Sequence, residues 1–329
     1  MRFLLDDEQR EFARSLDGML AAAGTPAVVR AWAAGDHGPG RVMWARLAEA
    51  GVFGLAVPEE HGGLGLLPVE LSVAFTELGR YAMPGPLVET VATAALLDRL
   101  GDEAAAAAWL PGIASGKTAA SLCLLSPDSP FALDADAADA VLVVDGDTVR
   151  LAETAGPVQP SADPARRLAR PLGGTVLAKG PEVATAAAHA ADVAALVTAA
   201  QALGLGRTLL ARTVEYVKQR TQFGVAIGSF QAMKHRLADV SIALEFAQPL
   251  VHAAALALAS SNPDTGRQIA AAKVSAGEAA YASARTALQL HGALGYTEEL
   301  DLSLWIRKAR ALRDAWGTPA VCRARVLTP

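Results

Sequence analysis

The sequence predicts a mainly α-helical protein in which a small β unit separates two helical regions. Over residues 1–114 and 184–329, apolar residues recur at helical spacing in alanine-rich segments, and this pattern indicates helices that bury one face. Between these regions, short apolar runs alternate with Gly, Pro and Asp, which is typical of strands joined by turns. Aromatic residues make up only 5% of a chain that is 52% hydrophobic, so we expect a core of small-residue helix packing.

Residues 1–114 are predicted to form an N-terminal helical domain. Asp6 or Asp7 can cap its first helix, whose apolar positions include Leu16 and Leu20. Proline in a first turn and glycine after a last turn are typical helix boundaries. On these signals, further helices are predicted around Trp44–Ala48, with Gly51 at the end, and at Pro68–Arg80, Pro86–Leu100 and Asp102–Ala114.

Residues 115–183 are predicted to form a small, truncated β domain. Ala119–Leu125 and Ala140–Val144 are apolar runs of strand length. The segment Asp145-Gly-Asp147, placed before Thr148-Val-Arg-Leu151, is a turn signal for a β-hairpin. The many prolines and glycines that follow indicate a loop-rich stretch.

Residues 184–329 are predicted to form a four-helix bundle, because long helices with tight connections favour antiparallel neighbours. The predicted helices are His189–Gln219, Ser229–Ser260, Asp264–Leu290 with Gly292 as its C-cap, Leu302–Asp314, and a short helix after Pro319. The apolar windows Val193–Gly206 and Val251–Ser260 are interrupted by Gln201 or too short to cross a bilayer, which takes about 20 apolar residues. We therefore expect no membrane span.

Composition narrows the classes of function. The net charge is −5 and no basic block stands out, so a nucleic-acid surface is not expected. The 2 cysteines, Cys123 and Cys322, lie far apart, which favours a reducing, cytoplasmic location over a disulfide framework. The N-terminus turns acidic at once and has no signal-peptide core. The 6 histidines have no metal-ligand spacing, and no Gly-x-Gly-x-x-Gly follows a strand, so neither a metal centre nor a Rossmann nicotinamide site is predicted.

Two segments at helix ends have the pattern of a ligand site. Arg220-Thr-Gln-Phe-Gly224 ends one long helix and Gln231 begins the next; a guanidinium in this place can bind a phosphate through paired hydrogen bonds. The segment Gln289–Tyr296 supplies an amide at a helix end, and then glycines that let the backbone approach a flat ligand. Taken singly, the first segment is also compatible with an arginine favoured by the helix dipole, and the second with an ordinary C-cap.

In this order and on these helices, the two segments resemble the C-terminal half of the flavin-dependent acyl-CoA dehydrogenases. Val57–Gly65 and Glu77–Arg80 are similar to that family's first domain, so the resemblance covers residues 5–114 and 184–329. It implies the acyl-CoA dehydrogenase fold and an FAD that is shared across a subunit interface. It also implies that Arg220 meets the FAD pyrophosphate and that Gln289 meets the adenosine end. The other cofactor-binding residues implied are Phe223, Gln231, Gly292, Gly295 and Thr318.

Three departures from the family pattern bear on catalysis. The family's catalytic glutamate, in a Glu-Gly-Thr turn, is replaced by Trp316 in an Arg307–Thr318 register without a gap, and an indole nitrogen is only a donor. The alternative base position of some members falls on Ala194. Asp192 should face elsewhere, because two residues turn a helix by roughly 200°. The middle domain is short: Leu124–Asp128 replaces its Thr-Glu-Pro signature, and the Trp-Ile-Thr or Trp-Ile-Ser strand that lies against the flavin ring is missing.

Other carboxylates near the bundle are weaker candidates for the base. Glu245 is the best of them, because it sits among apolar neighbours in the second long helix. A base needs reach first and a suitable pKa second, and neither can be read from a sequence. The remaining candidates are expected to be solvated helix-face charges: Glu278, Glu298, Glu299 and Asp314.

The resemblance implies α,β-desaturation of an acyl-CoA substrate, with an electron-transfer flavoprotein as the partner that reoxidises the flavin. Because the adenosine–pyrophosphate half is kept and the base is lost, we predict a subunit that completes the FAD site of a second, catalytic acyl-CoA dehydrogenase chain. Heteromeric members of this kind occur in actinobacterial steroid side-chain breakdown, and fatty-acid breakdown is the other process considered. Two alternatives remain open: an active homo-oligomer with a displaced base, and a scaffold or acyl-CoA-binding subunit without flavin.

Overall fold

The computed structural model describes residues 4–126 and 129–327. The chain divides into two compact units, each built from separate stretches of sequence. The first unit comprises Met1–Pro26, Ser72–Ala82 and Ala195–Pro329, and the second comprises Ala27–Leu71 and Met83–Ala194. The three domains predicted from the sequence, 1–114, 115–183 and 184–329, do not coincide with these units and stay a prediction.

The prediction of a mainly α-helical chain is confirmed. The helices of the described residues, numbered along the chain, are α1 Asp7–Ala21, α2 Thr25–Ala33, α3 Gly38–Glu49, α4 Pro68–Arg80, α5 Leu87–Leu100, α6 Glu103–Ala114, α7 Glu182–Gln219, α8 Gln231–Ala259, α9 Thr265–His291, α10 Leu302–Asp314 and α11 Pro319–Leu327. The strands are β1 Ala120–Leu124, β2 Ala132–Leu133, β3 Ala140–Asp145, β4 Thr148–Leu151, β5 Thr154–Ala155, β6 Leu168–Ala169, β7 Pro171–Leu172, β8 Thr175–Lys179, β9 Thr221–Gln222 and β10 Val225–Ala226.

Local signals placed most helix boundaries correctly. Asp6 caps α1 by accepting a hydrogen bond from the Gln9 N–H, and the Gln9 side chain returns a bond to the Asp6 backbone; this is a capping box. Helices α4 and α10 have the predicted bounds. Helix α2 was not predicted, and α7 begins at Glu182 rather than His189, because small residues there leave the apolar pattern weak.

The β unit lies within the second compact unit, and its main sheet has the strand order β1-β3-β4-β8. Strands β1 and β3 are parallel, and β3 and β4 form the predicted hairpin, in which Asp145 pairs with Thr148. The short pairs β2–β6 and β5–β7 complete the unit. In the segment predicted to replace the Thr-Glu-Pro signature, Pro127 and Asp128 lie outside the described residues. Both cysteines are buried and free, and burial raises the pKa of Cys123 to about 11.

Asp134 links two parts of the second unit. Its buried carboxylate accepts a hydrogen bond from Trp32 Nε1 of α2 over 3.0 Å, and its backbone N–H donates to the Arg167 carbonyl over 2.6 Å. The Asp134 backbone has a φ of 52°, a left-handed conformation that short polar residues such as Asp and Asn tolerate best. Arg167 pairs in turn with Asp136 at 2.8 Å. Asp134 therefore fixes a loop of the β unit against α2.

Replacing Asp134 by alanine should lower the free energy of unfolding by about 2–5 kcal/mol. The substitution leaves the buried Trp32 N–H without its acceptor, at about 1–3 kcal/mol, and places a methyl side chain in the left-handed region, at about 1–2 kcal/mol. Denaturant unfolding followed by Trp fluorescence would measure the loss. Asp147→Ala, in the exposed hairpin turn, is the matched control and should change stability by less than about 0.5 kcal/mol. Equal stability of the two variants would contradict this role for Asp134.

Helices α4 and α7 cross in backbone contact within the first unit. A Cβ atom at Gly79 would lie 1.9 Å from the Gln201 carbonyl oxygen, and one at Gly204 would lie 1.8 Å from the Thr76 carbonyl oxygen. Thr208 Oγ1 adds a 2.8 Å hydrogen bond to the Arg80 carbonyl at the end of α4. This crossing places the bundle helix α7 relative to α4 with no side chain between them.

Two helices of the described residues, α7 and α8, are long and apolar enough to cross a membrane by length and composition alone. The sequence analysis expected Gln201 to interrupt the first apolar window and the second to be too short; instead, α7 continues through Gln201 as one helix, and α8 runs over 29 residues. In α7, 61% of the most apolar window is buried inside the protein. A core helix passes the same test, so length and composition are weak evidence for a span. In α8 only 33% of the window is buried, and much of its apolar surface is left uncovered.

Candidate functional site

The segment after Arg220 folds into a tight hairpin with an exposed aromatic tip. Strands β9 and β10 pair with Gln222 opposite Val225, so Phe223 and Gly224 form a two-residue turn with φ values of 54° and 79°. Positive φ at both positions matches the type I′ turn that suits hairpins. A bulky residue is an outlier in this region, yet the Phe223 side chain is 90% exposed. Its ring forms an edge-on pair with the ring of Phe230, at 6.4 Å between centroids.

Arg220 and the N-terminus of α8 belong to the same turn. The Arg220 carbonyl accepts a 2.8 Å hydrogen bond from the Ile227 N–H, which closes the loop ahead of Gln231. Arg220 is exposed, and its guanidinium has no ion-pair partner among residues 4–126 and 129–327. Phe230, which precedes α8, provides no side-chain cap, so N–H groups of the first turn stay available. An exposed guanidinium beside an uncapped helix N-terminus suits a phosphate group.

The second motif segment lies at the C-terminus of α9. Gly292 is the predicted C-cap; it has a φ of 58°, and its N–H donates to the Gln289 carbonyl. A Cβ at Gly292 would meet no atom within 4 Å, so the backbone here is open to a ligand, and the Gln289 side chain is exposed beside it. Gly295 is different: it is buried, and a Cβ there would lie 2.9 Å from the Leu288 carbonyl oxygen. Packing inside the chain therefore accounts for Gly295.

A ring stack joins the ends of α7 and α9. The rings of Tyr216 and His291 stack with centroids 4.0 Å apart. His291 is only 5% exposed, and its Nδ1 lies 2.8 Å from the Ala287 carbonyl oxygen. Burial lowers the pKa of His291 below its ordinary value, which favours the neutral ring. The stack places the two motif segments at the same end of the bundle. No role for His291 was predicted from the sequence, because a contact between residues of two helices leaves no signal in the neighbouring sequence.

A pocket of about 570 Å³ opens beside this stack. It is lined by Gln219 and His291, the chain neighbours of Arg220 and Gly292. Its wall also includes Arg212, whose guanidinium lies 4.3 Å from the Trp305 ring centroid. The full lining is Ala211, Arg212, Glu215, Tyr216, Gln219, His291, Glu299, Leu300, Asp301 and Leu302. The sequence interpretation did not find Arg212 or Trp305, since they come together only through the packing of α7 on α10.

Neither of the two positions that the resemblance predicts for the family's base holds a carboxylate. Trp316 lies in the turn between α10 and α11 with a φ of 52° and is half-buried. The adjoining Thr318 is exposed; its Oγ1 accepts a hydrogen bond from the Val321 N–H and its carbonyl one from the Cys322 N–H. Ala194, at the alternative position, is fully buried and offers only a methyl group. An indole and a methyl cannot accept a proton from a thioester α-carbon.

Glu245 is an exposed charge on α8. Its side chain is 67% exposed and pairs with Arg207 at 3.5 Å. Arg207 also donates to the Gln248 side chain. The expectation of apolar surroundings came from chain neighbours, and these point away from Glu245 on a helix. Three of the other carboxylates are paired as well: Glu278 with Arg313 and Arg323, Glu298 with Arg307, and Asp314 with Arg310.

Glu77 is a buried carboxylate that the sequence interpretation treated only as part of a helix end. Burial raises its pKa, and the Arg80 guanidinium at 2.7 Å opposes that shift. Arg80 also pairs with Asp17, which accepts a 2.7 Å hydrogen bond from Tyr81. A small cavity of about 110 Å³ borders Glu77 on the side of Arg207. Because Glu77 is already engaged by Arg80, we interpret it as a structural charge that ties α1 to α4.

Comparisons with known proteins identify the family of this chain. The family model described as "Acyl-CoA dehydrogenase, N-terminal domain" matches residues 6–117, and "Acyl-CoA dehydrogenase, C-terminal domain" matches residues 184–328. The chain belongs to the acyl-CoA dehydrogenase family, whose members are flavoprotein oxidoreductases of lipid metabolism. The resemblance stated from the sequence is thereby confirmed, and so is the fold class with its small sheet region.

Among individual proteins, acyl-CoA dehydrogenase IpdE2 of Mycobacterium tuberculosis is 35% identical over 316 residues, which cover 95% of this chain and 94% of that protein. The glutaryl-coenzyme A dehydrogenase–glutaryl-CoA complex superposes with a TM-score of 0.88 at 22% identity, covering 99% of this chain and 95% of that one. The ChsE4–ChsE5 complex from Mycobacterium tuberculosis gives a TM-score of 0.84 at 23% identity, covering 100% of both chains. The two structural matches, at these identities, show the fold alone.

Proposed function

We propose that this chain is a non-catalytic partner subunit that completes the FAD site of a second, catalytic acyl-CoA dehydrogenase chain. Within the first compact unit, the residues predicted to bind the cofactor are present, whereas the predicted base is absent, and this contrast is the main support for the proposal. The residues of the cofactor motif, among them Arg220, Phe223 and Gln289, are exposed on the surface. At the family's base position stands Trp316, which cannot accept a proton.

The exposed motif residues fit an FAD that is bound largely by another subunit. Arg220 and the uncapped N-terminus of α8 would hold the pyrophosphate. Gln289 and the open backbone at Gly292 would meet the adenosine end. Phe223, whose backbone lies in the left-handed region and whose side chain is 90% exposed, would gain burial against the cofactor or the neighbouring subunit. Gln231 and Thr318 are exposed and would add polar contacts, whereas Gly295 would act through packing.

A bound FAD would supply the hydride acceptor for the β-carbon of the acyl-CoA, and the assembled protein would supply orientation and the base. The residues of this chain would hold the cofactor and exclude water from its adenosine half. The proton from the α-carbon would go to a carboxylate of the partner. We propose that the assembly is a cytoplasmic heteromer whose flavin is reoxidised by an electron-transfer flavoprotein.

Helix α8 offers a surface for the partner. Ile242, Phe246 and Leu250 recur every fourth residue, so they form one stripe along the helix, and they are 54%, 72% and 40% exposed. An exposed apolar stripe of this kind on a helix is typical of a subunit interface. The family likeness to IpdE2 and the fold likeness to the two-chain ChsE4–ChsE5 complex support a partner from the same family. An acyl-CoA thioester is the substrate we propose for the assembled enzyme, with steroid side-chain or fatty-acid breakdown as its setting.

Flavin content separates the proposal from its two alternatives. The chain should be purified alone and after co-expression with a complete acyl-CoA dehydrogenase from its genomic neighbourhood, and flavin should be measured per chain. The proposal expects a colourless isolated chain and a yellow complex with one FAD for each pair of chains. A yellow, active isolated chain would instead favour the homo-oligomer with a displaced base. A colourless preparation in both cases would favour a scaffold without flavin.

Arg220→Ala should weaken FAD retention in the assembled oligomer by roughly 1.5–3 kcal/mol, the range for a hydrogen bond to a charged group. Flavin absorbance after gel filtration measures it. Arg267→Ala is the matched control, because Arg267 pairs with Asp264 at the opposite end of α9 from Gln289. Flavin content that is the same in both variants and in the unmodified chain would contradict a pyrophosphate contact for Arg220.

A further inference from the structure

A buried lysine contacts the chain on both sides of Trp316. Lys273 lies on α9 and is 1% exposed. Its Nζ donates to the carbonyl oxygens of Leu312 at 3.1 Å, Arg313 at 3.0 Å and Gly317 at 3.2 Å. An ammonium group carries three N–H donors, so one side chain can serve all three acceptors. Two of these carbonyls belong to the last turn of α10, and the third lies directly after Trp316.

The Lys273 ammonium group lies where it can bind both the C-terminus of α10 and the turn that follows it. The last four carbonyls of a helix lack partners inside the helix, and a cation near a helix C-terminus is favoured by the helix dipole. Lys273 therefore satisfies carbonyls of α10 that would otherwise need water or a cap. Through Gly317 it extends the same contact into the turn that joins α10 to α11.

The turn itself has an unfavourable local conformation. Trp316 has a φ of 52° and Gly317 a φ of 122°, and a bulky residue in the left-handed region costs about as much as one net hydrogen bond contributes. On the far side of the turn, Cys322 is buried, and its N–H donates to the Thr318 carbonyl over 2.9 Å. A Cβ at Gly317 would come within 2.7 Å of the Cys322 Sγ. Strained conformations persist where the surroundings over-determine them, and here the contacts come from α9 and α11.

We infer that Lys273 is a positioning residue, which holds the Trp316–Thr318 turn in its left-handed conformation and so sets the direction of the Trp316 indole and the place of Thr318. Gly317 suits its own positive φ, but tryptophan is disfavoured in the left-handed region, so the sequence of the turn does not by itself select the conformation at Trp316. The role of the turn beside FAD rests on the proposed function. The effect of Lys273 on the turn does not, and it can be measured without flavin.

The direct test follows the indole N–H of Trp316 in the isolated, ¹⁵N-tryptophan-labelled chain. The chain has 5 tryptophans, and Trp316→Phe identifies the signal of interest. Lys273→Met keeps the volume and removes the donors; it should shift or broaden the Trp316 signal and leave the other indole signals in place. Ser283→Ala is the matched control, because it removes a buried 2.8 Å hydrogen bond on the same helix, to Ala279, away from the turn. It should leave every indole signal unchanged.

Lys273→Gln keeps an N–H donor group on a shorter side chain and serves if the methionine variant does not fold; it should produce a smaller change at the same signal. An unmoved Trp316 signal in a folded Lys273 variant would overturn the inference, and so would an equal shift in Ser283→Ala. In the assembled oligomer, Lys273→Met should weaken FAD retention about fivefold, the equivalent of one hydrogen bond. A shifted indole with unchanged FAD retention would overturn the link between the turn and the cofactor, while a complex that never binds FAD would contradict the proposed function alone.

Discussion

An isolated preparation of this chain, supplied with FAD, is expected to oxidise acyl-CoA thioesters at a rate close to background. The register predicted from the sequence places Trp316 and Ala194 at the two positions where family members carry the base, and loss of a general base typically lowers the rate by ~10²–10⁴-fold. Dye-linked oxidation of a panel of acyl-CoAs measures this, with a complete family member as the reference. Activity of a mixed complex should depend on a carboxylate of the partner.

Robust turnover by the isolated chain would contradict this expectation, and Glu245→Gln would then be the first variant to test. We also expect that Trp316→Glu does not restore activity to the isolated chain. The Trp-Ile-Thr strand that the family packs against the flavin ring is missing from the sequence, so a new carboxylate would have no positioned substrate on which to act.

Gly204→Ala is expected to lower the free energy of unfolding by about 3–5 kcal/mol, at the upper end of single substitutions. A Cβ at this position would lie 1.8 Å from the Thr76 carbonyl oxygen. Because the obstacle is backbone, no side-chain rotamer change can relieve it, and α4 and α7 must move apart. Denaturant unfolding, followed by a spectroscopic signal at two wavelengths, would measure the decrease in the free energy of unfolding.

Gly18→Ala is the matched control for this crossing. Gly18 also lies in a helix, α1, but a Cβ there would meet nothing within 4 Å. Alanine at an exposed helical position stabilises relative to glycine by roughly 0.5–1 kcal/mol. If both variants were equally stable, the close contact between α4 and α7 would be contradicted.

The fold was predictable from the sequence because its signals are local. Asp6 with Gln9, the prolines at 68 and 319, and Gly292 mark helix boundaries by chemistry that acts within one turn. The hairpin after Asp145 follows the same rule. The length of α7 was underestimated, because small residues before His189 give a weak pattern and because Gln201 reads as an interruption, although one amide does not end a helix.

The candidate site was predictable only as a set of segments. The residue types at Arg220 and Gln289 indicated the motif. Their positions at helix ends indicated that both side chains are exposed to a ligand. Their common location depends on the stack of Tyr216 on His291, which joins residues far apart in the chain. For Glu245, neighbours in the sequence were misleading. Its apolar chain neighbours lie on other faces of α8, and the carboxylate is paired with Arg207 at the surface.

By itself, the sequence determined the helical class and the hairpin, since each depends on contacts within a few residues. The cofactor-type motif and the loss of a carboxylate at the base position depend on residue identity and stay predictions. The tertiary structure alone decided that Gly79 and Gly204 bring two helices into backbone contact, that Glu77 is buried beside Arg80, and that Lys273 holds the Trp316 turn. These features join residues that are distant along the chain. The free energies of these contacts come from packing and from burial of charge. Both depend on which helices pack together, and local sequence patterns do not specify that.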